Sequence, residues 1–205
     1  KALLEGIMPD DLQPFMPRLH ELRSLSTILK NMRLRRGAID FDFPEYKVIL
    51  DPEGVPLRLE KRERTIAEQI VEESMLIANE TVACYLRDSE NPSVYRIHEL
   101  PEPERLEMMR TVLSSFNLPM PDTEAVKPAD FQKLLEMTKG TDEAAVVQTI
   151  ALRSMQQARY STTNAGHFGL ASECYTHFTS PIRRYPDLMV HRLIRQYQRR
   201  GKLTE

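Results

Sequence analysis

Length, composition and charge set the class of protein. The chain has 205 residues, 41% of them hydrophobic and 28% charged, and its formal net charge is −2. These values are typical of a globular chain of one or two packed units, and they exclude an overall charge bias towards nucleic acid or membranes.

Cysteine content and hydropathy predict a reducing compartment. The two cysteines, Cys84 and Cys174, form no CxxC motif and no zinc-type Cys/His grouping. No apolar run approaches the roughly 20 residues that span a bilayer, and the N-terminus lacks the apolar segment of a signal peptide. We therefore expect a cytoplasmic protein with no membrane partner, and we interpret a chain that begins with Lys1 as a piece of a longer protein.

The spacing of apolar residues predicts a mixture of helices and strands. Helical periods occur in residues 9–37, 64–88, 101–116, 128–140 and 141–160, and β-type patterns occur in 37–60, interpreted as a small antiparallel meander, and in 93–99. The apolar stripe of the first helix, which includes Leu22 and Leu25, is expected to pack in a core. Residues 161–180 are polar, aromatic and glycine-bearing, which is typical of a loop-rich passage where functional sites tend to lie.

Strand alternation in "AIDFDFPEY" places Ile39, Phe41 and Phe43 on one face. A hydrophobic core would use such a face directly, and we expect Phe43 to lie in the core. Asp40 and Asp42 share the opposite face and are interpreted as surface acids rather than metal ligands.

Basic residues are concentrated at the C-terminal end. From Arg153 onward nine Lys and Arg residues stand against three Asp and Glu residues, a net +6, so the remainder carries −8. The C-terminal quarter is therefore either an anion-facing surface or, as is commoner for such runs, a solvated helix face.

Two arginines stand near the start of the last helical pattern, in "TSPIRRYPD". Ser180 is predicted to be the N-cap and Pro181 the first helical residue, which leaves backbone N–H groups facing an anion. A cation such as Arg183 in the first turn opposes the helix dipole by about 0.3 to 1 kcal/mol unless a negative group is present. Phosphate is the obvious candidate, because guanidinium pairs with its oxygens in a bidentate manner.

Other interpretations of the same segment stay open. In one, Arg183 pairs with Asp187 at i+4, Arg184 faces solvent, and His191 hydrogen-bonds Asp187. In another, Pro186 restarts the helix and leaves both arginines on a short turn before it.

The passage "GHFGLASECYTHFTSPIRRYPDLMVHR" resembles the signature of the catalytic (RNB) domain of the ribonuclease II and ribonuclease R family of processive exoribonucleases, and it is most similar to ribonuclease R. The segments "RGAIDFDFPEYKVIL", "IVEESMLIANE", "VYRIHELP" and "LRSMQQARYSTTNAGHFGL" resemble further family segments in the same order. The resemblance implies hydrolysis of single-stranded RNA in the 3′-to-5′ direction, with release of nucleoside 5′-monophosphates by metal-assisted chemistry.

Residue by residue, the resemblance implies that Arg183 is the catalytic arginine, which neutralises charge on the scissile phosphate. A positioned arginine is worth roughly 10³ to 10⁵ in rate in phosphoryl transfer, so its loss is expected to harm turnover more than binding. Thr179, Ser180 and Tyr185 flank Arg183 and are RNA-binding candidates.

Further RNA-binding candidates lie in the other family segments. Glu72 resembles a glutamate that contacts the terminal ribose, where a carboxylate separates RNA from DNA through the 2′-hydroxyl. Asn79 follows it two helical turns later. Phe41 corresponds to an aromatic residue on which a base stacks, at roughly 1 to 3 kcal/mol per base. His98 and His167 are candidates for lining the substrate, although the residues alone leave structural roles open for all five.

The resemblance also implies parts that are not found in this sequence. The family's Mg²⁺ lies on an aspartate cluster in the first half of the domain, and no such cluster occurs here, so we expect no metal ligands in this chain. We expect residues 1–205 to be the C-terminal part of an RNB catalytic domain, without the flanking OB-type RNA-binding domains.

The expected fold is α/β (α+β), with a mixed or antiparallel sheet surrounded by helices. The expected partners are single-stranded RNA and the N-terminal half of the same domain, without which the segment is expected to be inactive. One rival hypothesis is a catalytically inactive RNA-binding regulator built on the same domain. Another is a helical interaction module whose arginines make only surface salt bridges.

Overall fold

The structure, a computed structural model, describes residues 10–41, 43, 45–62, 64–119 and 125–201. The helices are α1 (Met16–Arg35), α2 (Ile66–Asp88), α3 (Pro103–Ser115), α4 (Pro128–Thr138), α5 (Ala144–Ser154) and α6 (Tyr185–Arg200), and the strands are β1 (Tyr46–Leu50), β2 (Pro56–Lys61), β3 (Tyr95–Ile97) and β4 (Arg159–Ser161). Two 3₁₀ helices, Asp10–Phe15 and Phe168–Leu170, complete the described secondary structure. The predicted mixture of helices and antiparallel strands is confirmed, and the described strands form two separate pairs.

The chain divides into two compact units. The first comprises Lys1–Lys30 and Asp42–Ser74, and the second comprises Asn31–Phe41 and Met75–Glu205. None of the helices among the described residues is long and apolar enough to cross a membrane.

An antiparallel hairpin of β1 and β2 forms the strand pair of the first unit, with Val48 opposite Leu59. Its turn closes at "DPEG", residues 51–54, because Gly54 adopts φ +86 and Asp51 accepts from two backbone N–H groups. The carbonyl of Asp51 accepts from Gly54 N at 3.0 Å, and its carboxylate accepts from Val55 N at 2.8 Å.

Two expectations for apolar residues of the first unit are wrong. Phe43 is 40% exposed, so its predicted place in the core is not observed, and residues 38–41 and 43 belong to no strand. Leu22 and Leu25 of α1 are exposed as well. Asp42 lies outside the described residues.

Helix α2 begins with a reciprocal cap. Thr65 N donates to the Glu68 carboxylate at 2.8 Å, and Glu68 N donates to the Thr65 hydroxyl at 3.3 Å. The Thr65 N–H, followed by the Arg62 guanidinium and the Thr65 hydroxyl, lowers the pKa of Glu68 to about 2. No proline or glycine interrupts the helix that follows, as the sequence predicts.

The core of the second unit lies between α3, α4 and α5. Each helix contributes an apolar stripe at three- and four-residue steps, because that spacing aligns side chains on one face. The buried cluster consists of Leu106, Met109 and Leu113 of α3, Phe131 and Leu134 of α4, Val147 and Ala151 of α5, and Ile39, Met155 and Phe168. This rigid body supports the loop-rich passage that follows α5.

Helix α5 is shorter than the pattern predicts. It ends at Ser154, and the chain then forms β4, which pairs antiparallel with β3 so that Tyr95 faces Ser161. The predicted helix over 141–160 is therefore wrong beyond Ser154, because strand pairing with a distant segment outweighs local helical propensity.

Candidate active site

The loop after β4 is fixed to β3 by its backbone. His98 N donates to Gly166 O at 3.0 Å, and Phe168 N donates to His98 O at 2.8 Å. Gly166 has φ +71, and a Cβ at that position would lie 3.1 Å from the carbonyl oxygen of Ser172. The close approach of the backbone at residue 166 to the carbonyl oxygen of Ser172 therefore requires glycine.

Five side chains form a continuous series of edge-to-face ring contacts, which we call the aromatic row. In order they are His98, His167, Tyr175, His177 and Tyr160, with successive ring centroids 5.1, 5.3, 5.8 and 5.7 Å apart. Such contacts are favourable beyond the area that they bury. The row thus brings together His98 and His167, which the sequence placed in different motifs.

Burial keeps the histidines of the aromatic row neutral at physiological pH. It is the main cause that lowers the pKa of His167 to about 3 and that of His177 to about 4. For His167 the next cause is His98, whose own pKa burial also lowers, and for His177 it is the guanidinium of Arg184.

The neutral ring nitrogens are used as acceptors. Leu170 N donates to His167 Nδ1 at 3.3 Å, and Gly169 N donates to His98 Nδ1 at 3.1 Å. An open cleft of about 530 Å³ lies against this end of the row, and His98, His167, Asn164 and Ser172 are among the residues that line it. Its size and mixed lining are suitable for a small polar ligand.

Asn79 of α2 holds the middle of the row in place. It is buried, its Nδ2 donates to Tyr175 Oη at 2.9 Å, and its Oδ1 accepts from Phe178 N at 3.0 Å. The amide therefore fixes the segment between Tyr175 and Phe178, and a direct contact of Asn79 with RNA stays a prediction.

A turn over residues 180–184 precedes α6. Arg183 N and Arg184 N both donate to Ser180 O, at 3.3 and 3.1 Å. Underneath, Asp187 is wholly buried, and its Oδ1 accepts from Ser180 N and from Arg184 Nη2, each at 2.8 Å. The turn is thus closed by its own backbone and fastened from below by one carboxylate.

The structure corrects three expectations for this segment. Helix α6 begins at Tyr185, not after Ser180, because Pro186 suits the first turn of a helix and lacks an N–H for its interior. Asp187 pairs with Arg184 and not with Arg183, so Arg184, whose side chain is only 25% exposed, is not a surface charge.

His191 does not bond Asp187 either. Its Nε2 lies 2.9 Å from Phe178 O, and its ring stacks on that of Phe178 with centroids 4.0 Å apart.

Arg183 and Tyr185 occupy the outer side of the turn. Both are exposed, and Ile182 beside them is fully exposed. Within the described part of the chain the Arg183 side chain has no hydrogen bond or ion pair. Thr179 lies on the inner side, where its hydroxyl is buried. The turn therefore presents one uncompensated guanidinium to solvent.

Two predicted residues have other contacts among the described residues. Phe41 is partly buried and packs against the core cluster of the second unit. Glu72 belongs to the first unit, where Arg64 pairs with it. Their predicted contacts with a base and a ribose stay predictions.

Sequence reasoning missed the aromatic members Tyr160, Tyr175 and His177 of the row. The alternation of rings in "CYTHF" was the available signal, since a period of two places Tyr175 and His177 on one side of an extended segment.

The described residues at this surface do not form a ligand set that suits Mg²⁺. Among the described residues no group of three or more His, Cys, Asp or Glu side chains could hold a metal ion. Mg²⁺ needs several oxygen ligands, and the carboxylate at the turn, Asp187, is already engaged by Ser180 and Arg184. The residues described here therefore do not fit the ion, and no step through it is assigned to them.

Comparisons with known proteins cover almost the whole chain. Residues 4–200 match the model of the RNB domain. The chain is 50% identical over 173 residues to Ribonuclease R 1 of Lactococcus lactis, which covers 84% of this chain and 21% of that protein.

Two solved structures are similar as well. RNase R of Mycoplasma genitalium, in complex with ribose methylated single-stranded RNA, matches with a TM-score of 0.89 and 29% identity over 96% of this chain and 31% of that one. Yeast Ssd1, a pseudonuclease, matches with a TM-score of 0.60 and 25% identity over 70% of this chain and 18% of that one. The chain therefore spans less than a third of the length of each of these relatives.

Proposed function

This chain belongs to the RNB-domain family, and from that premise we propose that it is the part of a processive 3′-to-5′ exoribonuclease that supplies the catalytic arginine and one wall of the RNA channel. Its substrate is single-stranded RNA, and its products are nucleoside 5′-monophosphates. The observation that carries the proposal is the exposed side chain of Arg183, unpaired among the described residues, on a turn that is anchored from beneath.

Arg183 is suited to hold a phosphate at the moment of hydrolysis. Its guanidinium stays charged at any working pH, and its fork can donate two parallel N–H bonds to non-bridging oxygens. Because the neighbouring Arg184 is neutralised by Asp187, one net cation faces the substrate. A charge fixed before the reaction stabilises the transition state without reorganisation at that moment.

The aromatic row supports RNA binding without adding charge. Its histidines are neutral, so the cleft beside His98 and His167 offers rings and polar edges to the nucleotide. Exposed Tyr185 adds a ring next to Arg183, on which a base can stack at roughly 1 to 3 kcal/mol. We propose that Mg²⁺ is held by residues outside this chain.

The test compares Arg183→Ala with Arg195→Ala in the intact protein. Both replace an exposed arginine by alanine, and Arg195 lies on the body of α6, away from the turn. We expect Arg183→Ala to slow single-turnover release of the 3′-terminal nucleotide by about 10³-fold in the presence of Mg²⁺, while the Kd for single-stranded RNA changes far less. Arg195→Ala should keep the wild-type rate. Equal losses of affinity and turnover in Arg183→Ala would contradict a catalytic role.

A second candidate function is an RNA-binding regulator without catalysis. It is favoured by the similarity to Ssd1, a pseudonuclease. An assay of this segment alone, and mixed with the upstream half of the domain, separates the two functions. Release of monophosphates only by the mixture supports the enzyme, and RNA binding without release by the intact protein supports the regulator.

A further inference from the structure

The buried carboxylate of Asp187, which neutralises Arg184 beneath the turn, takes no direct part in the hydrolysis proposed above. Oδ1 of Asp187 accepts from the backbone N–H of Ser180 and from Nη2 of Arg184, each at 2.8 Å. These two donors belong to the first and last residues of the turn that carries Arg183. One oxygen atom therefore connects both ends of the turn.

The buried pair is poorly explained as a stabilising device. Asp187 is wholly buried and the Arg184 side chain is 25% exposed, so the cost of taking the carboxylate out of water offsets much of the attraction, and apolar replacements of buried pairs are often neutral or stabilising. Oδ2 of Asp187, Nε of Arg184 and Oγ1 of Thr179 are also buried without a hydrogen-bond partner in the described residues, which adds to the cost. An arrangement that costs stability is better explained by the geometry that it enforces.

The geometry separates two consecutive arginines. Arg184 points inward, where Asp187 neutralises it, and Arg183 is left on the exposed side of a closed turn. The backbone of Arg183 is held by its own N–H bond to Ser180 O at 3.3 Å, a long bond that depends on where Ser180 is kept. Asp187 keeps Ser180 in that place through the backbone N–H of Ser180.

We propose that Asp187 is a positioning residue for Arg183: it fixes the turn from below, so that the Arg183 guanidinium is aimed before RNA arrives. The inference rests on the proposed function of Arg183. Without this carboxylate the turn can still bind RNA, but the Arg183 guanidinium samples several orientations. A misplacement of about 1 Å in such a site can cost roughly 100-fold in rate.

A double-mutant cycle in the intact protein tests the inference. Asp187→Asn keeps the shape and an acceptor but removes the charge, and it is combined with Arg183→Ala. We expect Asp187→Asn to slow single-turnover nucleotide release by about 100-fold, with an RNA Kd within about threefold of wild type. In the Arg183→Ala background it should change the rate by less than about threefold, because the residue through which it acts is gone.

Controls keep the cycle interpretable. Glu107→Gln makes the same change from acid to amide on the exposed surface of α3 and should keep the wild-type rate. If Asp187→Asn does not fold, Arg184→Met with Asp187→Leu replaces the buried pair by apolar side chains, and the same cycle is run on that variant. If Arg183→Ala is too slow to measure, Arg183→Gln, which also removes the charge, takes its place.

The outcomes separate the inference from the proposed function. If Arg183→Ala is slow and Asp187→Asn slows both backgrounds by the same factor, Asp187 acts independently of Arg183 and the positioning inference is overturned. If the wild type releases no nucleotide, or Arg183→Ala is as fast as wild type, the proposed function fails and the inference fails with it.

Discussion

The aromatic row and the turn over residues 180–184 treat charge in opposite ways. In the row, burial holds the imidazoles of His167 and His177 neutral, and backbone or hydroxyl groups occupy their Nδ1 atoms. In the turn and the start of α6, three charged groups lie within five residues. Arg184 and Asp187 form a pair beneath the turn, and Arg183 is exposed. The aromatic row therefore supplies a neutral support, and the turn supplies the positive charge.

A neutral support has a physical advantage for a site that binds phosphate. Additional buried cations would repel Arg183 and would each carry a desolvation cost, whereas neutral rings can pack closely at no charge cost. The row can therefore be rigid while the turn remains the source of positive potential. Substitutions in the two segments should consequently have different signatures.

The largest expected difference is between the two arginines of the turn. Arg184→Ala leaves the carboxylate of Asp187 buried without its charged partner, which costs about 3 to 5 kcal/mol. Arg183→Ala removes an exposed side chain and should change stability by no more than about 0.5 kcal/mol. Hydrogen exchange of amides in residues 175–190 of the intact protein measures both effects. Equal losses of protection in the two variants would contradict the placement of Arg184 on the buried side of the turn and of Arg183 on its exposed side.

Asn79→Ala should have the next largest effect, on the row. The substitution leaves Phe178 N and Tyr175 Oη without their partner, at about 1 to 2 kcal/mol for each group, so we expect a loss of about 2 to 4 kcal/mol in protection of residues 175–178. Gln198→Ala, an amide lost from an exposed position on α6, is the matched control and should leave the exchange unchanged. Unchanged protection in Asn79→Ala would mean that the segment is held by other contacts.

The sequence predicts well those features that depend on local spacing. Helix α2 was predicted over 64–88 and is observed over Ile66–Asp88, because an unbroken helical period is a local signal. The strand β3 and the tight turn at Gly54 follow from the same kind of information. Arg183 was selected by its family motif, and the structure adds that it is exposed and unpaired among the described residues.

Features that depend on distant pairings could not be predicted. The end of α5 at Ser154 is decided by the pairing of β4 with β3, about 60 residues earlier in the chain. The contact of Asn79 with Tyr175 likewise joins two motifs that are 96 residues apart. Whether Asp187 pairs with Arg183 or Arg184 depends on where α6 begins, and spacing alone left that start open between Ser180 and Pro186.

Gly166→Ala tests the close backbone contact that supports the row. Alanine at φ +71 is strained, and its Cβ would lie 3.1 Å from the Ser172 carbonyl oxygen, so we expect a loss of about 1 to 3 kcal/mol in protection of residues 164–174. Gly140→Ala has a similar φ of +80 with nothing within 4 Å of the new Cβ, and it measures the backbone strain alone. Equal costs at the two positions would show that the contact with Ser172 relaxes freely.

His167→Asn should give the smallest effect, which appears as a change in pH dependence. The folded pKa of His167 is about 3 and its ordinary value is about 6.5, so the unfolded state binds more protons between these values. The contribution of this histidine to stability is therefore complete above pH 7 and is lost as the pH falls below about 6.5. Asn cannot titrate, and its Oδ1 can still accept from Leu170 N, as Nδ1 of His167 does.

We therefore expect the loss of protection between pH 7 and pH 5.5 to be smaller in His167→Asn than in wild type, by about 1 kcal/mol. Exchange rates in residues 164–174, corrected for the intrinsic effect of pH, provide the measurement. His20→Asn, on the exposed surface of α1, should leave the wild-type difference unchanged. If His167→Asn also leaves it unchanged, the ring of His167 takes up its proton as readily in the folded state as in the unfolded state, and the aromatic row is not the neutral support that distinguishes it from the turn.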